Sequence, residues 1–317
     1  LAIPHSPFRI SHSFAWQGFL LSIPDDWNPL KLEGDWDGGL ATLADMKRPR
    51  IGIRWQAVNR KKFDLDAWVR KAMKDEVGQL AAEEAAKFTP KGDGGWEGGM
   101  LYTEPEPPGR DLWVAYSPAS GRVVQVVYHA DSRDRVLRDD VLPNLSDTPA
   151  DEPHWWSVFE LSVRTPAGWA MSTHKLNAGD LRLTFGKGKR DLATVRQVAI
   201  AKVALARLPL TKWLAGLQYE SRRHYRPVGE DEPVTLELEG GREISGLRKV
   251  RRRRRRFFWD RAKPPAVTTI ALHDEPRDRL VLGEGTIEDE LKQMLSTVGG
   301  IATAAAPVPT PAGRGSG

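Results

Sequence analysis

Trp16–Trp27 reads WQGFLLSIPDDW, and Trp156–Trp169 reads WSVFELSVRTPAGW. In each, apolar and polar residues alternate and then run into Pro-x-x-Trp, Pro24 to Trp27 and Pro166 to Trp169. Alternation with a period of two suits a half-buried strand, and proline closes it because it cannot donate to a ladder. Finding the pattern twice makes internal repetition the first question to settle.

Further landmarks follow in the same order. Gly34-Asp35 precedes Leu40-Ala-Thr-Leu43, and Gly179-Asp180 precedes Leu181-Arg-Leu-Thr-Phe185. Trp68 follows Trp27 by 41 residues, and Trp213 follows Trp169 by 44. Glu97-Gly98-Gly99-Met100-Leu101 is matched by Glu243-Ile244-Ser245-Gly246-Leu247, and the aromatic Leu112-Trp113-Val114 by Phe257-Phe258-Trp259. Last, VVQVVYH (Val123–His129) leads to Arg133-Asp134-Arg135, and VTTIALH (Val267–His273) leads to Arg277-Asp278-Arg279. Ordered landmarks at near-equal spacing predict a duplication. Each unit of about 140 residues is long enough to bury a core of its own.

The expected class is α+β: two tandem duplicated domains, each a mostly antiparallel sheet flanked by helices. The first spans residues 1–147, a Pro-rich linker 148–154, the second 155–300, and a patternless disordered tail 301–317. Asp64 is a good N-cap for a helix running to about Ala86, with Leu65, Trp68, Val69 and Met73 on one face. Thr286 caps a second helix through Leu295. Val195, Val198 and Ala199 suit either a helix or a strand.

On the strands Phe19–Trp27 and Phe159–Trp169, and the helix-then-hairpin order behind them, each unit resembles the PsbP-type α/β/α sandwich family. The resemblance implies an accessory or docking module without a shared catalytic site, and it transfers no functional residue. The arginine run described next departs from that family's pattern.

With 40% hydrophobic and 28% charged residues, the composition is that of a globular chain rather than a disordered one. There is no cysteine, which excludes disulfides, thiolate–zinc sites and thiol catalysis. No stretch approaches the apolar length of a membrane span, and LAIPHSPFRISHSF lacks a signal-peptide pattern, so a cytoplasmic address and no membrane are expected. The net charge of +5 is local: removing the eight bases between Arg248 and Arg256 from the 47 leaves 39 basic against 42 acidic residues. Those eight are Arg248, Lys249, Arg251, Arg252, Arg253, Arg254, Arg255 and Arg256.

In a strand, successive arginines of such a run point to opposite faces, and their density calls for an acidic counterpart. Three answers compete: a protein partner or the facing segment Glu230-Asp231-Glu232; the phosphates of RNA or DNA, bound without sequence readout; or plain solvation. His5, His12, His154, His174 and His224 are scattered, with no HExxH, so no metal or other cofactor is implied. The repeated His-x-x-x-Arg-Asp-Arg reads as a strand end and a polar turn rather than acid–base machinery. Gly92–Gly99 lacks the context of a phosphate loop. The expected function is a non-enzymatic adaptor contacting an acidic partner through the arginines, with nucleic-acid association as the alternative and an enzyme site in the cleft between units as the third class.

Overall fold

Both quoted stretches fold as hairpins. A computed structural model describes residues 10–76, 86–87, 95–103, 110–129, 141–188, 190–216, 225–253 and 266–300. The first hairpin is β1 (Ile10–Trp16) and β2 (Phe19–Pro24), and Phe19, Leu21 and Ile23 are buried on its inner face. Gln17 and Gly18 turn it with φ of 51° and 85°, the doubly left-handed geometry that matches strand twist.

A meander follows: β3 (Asn28–Gly34), β4 (Gly38–Ala44) and β5 (Pro49–Ala57). After α1 (Leu65–Glu76) come β6 (Ala86–Lys87), β7 (Glu97–Thr103), β8 (Arg110–Ser117), β9 (Arg122–His129) and β10 (Ser146–Asp147). The second half has the hairpin β11 (His154–Val158) and β12 (Leu161–Thr165), then β13 (Ala170–Asn177), β14 (Asp180–Lys187) and β15 (Arg190–Ala199). It continues through α2 (Ala201–Leu205), α3 (Leu210–Gly216), β16 (Tyr225–Leu238), β17 (Arg242–Arg253), β18 (Ala266–Asp274), β19 (Arg279–Gly285) and α4 (Glu288–Ser296).

The expected α+β class is overturned. Of the described residues, 59% lie in strands and 15% in helices, so the fold is a β-rich one of three antiparallel sheets with four short helices. Two sheets have seven strands, in the orders β3-β4-β5-β9-β8-β7-β6 and β13-β14-β15-β19-β18-β17-β16. The third has five, β10-β2-β1-β11-β12, and draws strands from both halves. The reason for the difference is what covers each sheet. One face of each seven-stranded sheet is packed largely by the pooled hairpins, so sheet lies on sheet where helices were expected. Helices are left with the outer faces: α1 on Leu112, Val114 and Val123, and α2 with α3 on Ala271, Leu280 and Leu282. Among the described α-helices, α4 reaches the inner core, through Leu291, Met294 and Leu295.

Local expectations divide. Asp64 does cap α1, its Oδ1 accepting the Ala67 N–H at 3.0 Å, but Ala86 belongs to β6 rather than to that helix. Thr286 donates to the Leu192 carbonyl, and Ile287 takes the N-cap position of α4. The ambiguous Val195 region is strand β15.

The same strand order appears in both halves, and counterparts in the hairpin and meander lie 142 residues apart: Pro24 with Pro166, Trp27 with Trp169, His12 with His154. Trp27 N–H bonds the Pro24 carbonyl at 3.1 Å and Trp169 N–H the Pro166 carbonyl at 3.3 Å, so both prolines open the same turn. The later landmarks need realignment. VVQVVYH is in β9, which pairs β5, and its counterpart by position is β19; VTTIALH is in β18, the counterpart of β8. Arg122 therefore corresponds to Arg279, since they pair Ala57 and Ala199. Trp113 corresponds to Ile270, and the sequence-matched Trp259 lies outside the described residues, as do Arg133–Arg135 and 301–317.

β1 and β11 join the halves antiparallel with Ala15 opposite Ser157, themselves 142 residues apart. Equivalent residues facing one another define a local two-fold axis. Beside it, Trp16 and Trp156 meet edge to face at 5.7 Å, within one apolar cluster that runs from Leu43 and Ile53 to Leu183 and Phe185.

Candidate functional site

Of the five described bases of the predicted site, three, Arg248, Lys249 and Arg251, face the protein's own carboxylates. Arg248 grips Glu288 with both ends of its fork, Nε to Oε1 at 2.8 Å and Nη2 to Oε2 at 2.6 Å, and reaches Glu232 with Nη1 at 2.5 Å. Lys249 donates to Asp231 at 2.6 Å, and buried Arg251 lies 3.9 Å from Glu284. The facing acidic segment thus takes two of the bases, as one sequence reading allowed. Glu288 holds the Arg248 guanidinium above its ordinary pKa, and Arg248 in turn lowers the Glu288 carboxyl to about 2. Arg252 is exposed, Arg253 pairs Tyr225 along the ladder, and Arg254, Arg255 and Arg256 lie outside the described residues.

The repeated His-x-x-x-Arg-Asp-Arg resolves in its second copy as a hairpin turn. Asp278, at φ 52°, accepts the Lys202 N–H at 2.7 Å and so caps α2 from the turn, while Asp274 is paired bidentately with Arg242 at 2.5 and 2.9 Å. Arg279 leaves this turn for a different environment, best seen by comparing the two halves.

At the end of β1–β2 in the first half, a corner is packed solid. Arg122 is fully buried, salt-bridged to Asp147, and donates to the Gln17 carbonyl at 2.8 Å. Burial pushes its pKa down and Asp147 opposes the shift. Its guanidinium lies 4.1 Å from the Trp36 ring centre and 4.2 Å from that of Phe19. On Trp36 the His154 ring stacks at 4.9 Å and 21°. Trp55 fills the space beside them, touching Phe19 at 5.4 Å and donating its Nε1–H to the Asp35 carbonyl at 2.8 Å. Gly18 is obligatory, since a Cβ there would sit 2.8 Å from the Trp36 ring.

The equivalent corner of the second half is open. Ala178 stands in place of Trp36, and Gln197 in place of Trp55. With the indole gone, a side chain is tolerated opposite Gly18, and Glu160 occupies that position. Ser146 pairs Leu20 as the Gly299 N–H bonds the Ser162 carbonyl, so Asp147 corresponds to Gly300. Arg279 instead pairs with Glu160, donating to its carbonyl at 3.1 Å and contacting its carboxylate.

The result is a cavity of about 640 Å³. Its lining includes His12, Ser157, Ala178, Gln197, Arg277 and Arg279, so both halves contribute. His12 is the two-fold counterpart of His154, and burial lowers its pKa, with Asp25 opposing. Its Nδ1 stands 3.8 Å from the Asp25 carboxylate, beyond a hydrogen bond, and Ser157 Oγ is committed to the Ser13 carbonyl at 2.7 Å.

Sequence reasoning missed His12, Gln197, Arg277 and Arg279 as site residues. The signal was present: an alignment at 142 residues sets Trp36 against Ala178 and Trp55 against Gln197. Among the described residues, no group of three or more His, Asp or Glu is placed to hold a metal, and no helix is long and apolar enough to cross a membrane. Compared with known proteins, the chain matches no family model and no curated relative.

Proposed function

We propose that the chain is a non-catalytic binding protein that takes a small molecule into the open corner of its second half. One observation carries this reading: of two corners equivalent by fold, one is plugged by Trp36 and Trp55 and the other is a cavity of about 640 Å³. That volume is within the range of small-molecule sites, and the lining is mostly polar or charged, with apolar surface from Phe159, Ala178, Leu181 and Ala199.

Refilling the corner tests it. Ala178→Trp combined with Glu160→Gly, the glycine needed beneath the ring, rebuilds the first-half arrangement. A fragment library screened by saturation-transfer NMR against the intact chain should give ligands that the double variant loses. If every fragment that binds the wild type binds the rebuilt protein equally, the reading is wrong.

Exposed Arg252, at the head of the remaining arginines, supports a second reading, in which the end of β17 meets an acidic protein surface or, alternatively, nucleic-acid phosphates.

A further inference from the structure

We infer that the ligand of the open corner carries a flat aromatic ring system of indole or purine size, held face-on between Arg279 and His12. The inference rests on the binding reading above and names its ligand class.

The protein displays the template in its own first half. There a nine-atom bicyclic ring, the Trp36 indole, has the Arg122 guanidinium 4.1 Å from its centre and the His154 imidazole stacked at 4.9 Å. The open corner keeps counterparts of both groups that clasp it. Arg279 occupies the position of Arg122 at the start of the last strand, reaching back to the hairpin turn as Arg122 does. His12 is the counterpart of His154 across the two-fold axis. The ring between them is gone, replaced by the methyl group of Ala178. Glu160 stands where Gly18 lies beneath the indole, so a ligand ring would lie displaced from the Trp36 position to clear the Glu160 side chain, within a cavity that both clasping residues line. Guanidinium over a ring face and imidazole stacking are each sequence-tolerant attractions that any electron-rich planar ring satisfies.

Gln197 makes the site more than a slot. It takes the place of Trp55, whose indole packs this same corner in the first half, and lies on the cavity wall. A carboxamide offers both a donor and an acceptor, which fits the edge of a heteroaromatic ring better than that of a hydrocarbon. Around it the ionic groups balance: Arg277 and Arg279 are offset by Asp25 and Glu160, so a neutral ring needs no counterion.

Three probes separate the possibilities on the intact chain: indole, adenosine, and hydrindane, which keeps the bicyclic outline and the neutrality of indole without the π face. Binding is read by isothermal calorimetry. Indole or adenosine should bind, hydrindane about tenfold or more weakly. His12→Ala and Arg279→Ala should each weaken the aromatic probe about fivefold or more. Since Arg279 also braces the hairpin turn, Ala178→Trp with Glu160→Gly serves as the fold-preserving control, and should abolish binding while keeping or raising the melting temperature. Equal binding of hydrindane and indole, both lost in the double variant, would overturn the aromatic clasp and leave the binding reading standing. Aromatic binding unchanged by the double variant, or no binding of either aromatic probe, would overturn the inference outright.

Discussion

Arg122 and Arg279 show how one residue in one structural position acquires two environments. Arg122 and Asp147 are both fully buried, and Ser120 Oγ bonds the carboxylate while accepting Arg122 Nε–H at 3.0 Å. Removing the anion there strands a cation in the core, which costs about 3–5 kcal/mol. Asp147→Asn is expected to lose that much in urea unfolding, whereas Glu160→Gln, in a pair whose carboxylate is 70% exposed, should lose under about 1 kcal/mol. Little of this was legible in the sequence. Arg122 and Asp147 are 25 residues apart, and nothing in their local pattern says that β10 brings them together. The charge run at Arg248–Arg256 stood out instead, because sequence displays charge density but conceals the carboxylates that neutralise it across strands.

Among elements, the clamp between β17 and α4 turns that charge density into architecture. Arg248 ties the strand to Glu288 in the first helical turn, and Lys292 Nζ approaches the same carboxylate at 2.8 Å. A carboxyl held near 2 in the fold against an ordinary 4.5 adds stability that is complete above about pH 4.5 and drains away as pH falls towards 2. Glu288→Gln should therefore lower stability at neutral pH by about 1–2 kcal/mol, the reduced size reflecting a carboxylate that is 26% exposed and screened by solvent. The deficit should shrink between pH 4.5 and 2 in denaturant titrations at stepped pH. Elements with a clean signature were readable: the β2 alternation, the Pro-x-x-Trp turns, the Asp64 cap. β16 was not. Its 14 residues carry Arg226, Glu230, Asp231, Glu232 and Glu237 in an edge strand largely open to solvent, so no apolar period announces it. The expected class leaned towards helices because no local pattern shows that the pooled hairpins, and not helices, cover the inner face of each seven-stranded sheet.

Across the whole molecule, the five-stranded sheet decides how the halves behave. The apolar cluster passes without a break from Trp27 through Trp16 and Trp156 to Trp169. Unfolding one half would expose the partner face of the other, so the chain should melt in a single transition. Tryptophan fluorescence and far-ultraviolet circular dichroism are expected to give coincident urea curves, and two resolved steps would show the halves to be independent. Repetition itself was legible from the spacing of prolines and tryptophans. The shared sheet was not, because strand pairing between halves leaves no local mark. Its register has a lasting consequence. In an assembly of identical subunits, every substitution appears on both sides of the axis, so a tryptophan lost from one site is lost from its twin. Tethering the two copies in a single polypeptide lifts that constraint, and lets one corner remain an anchor while the other becomes a receptacle.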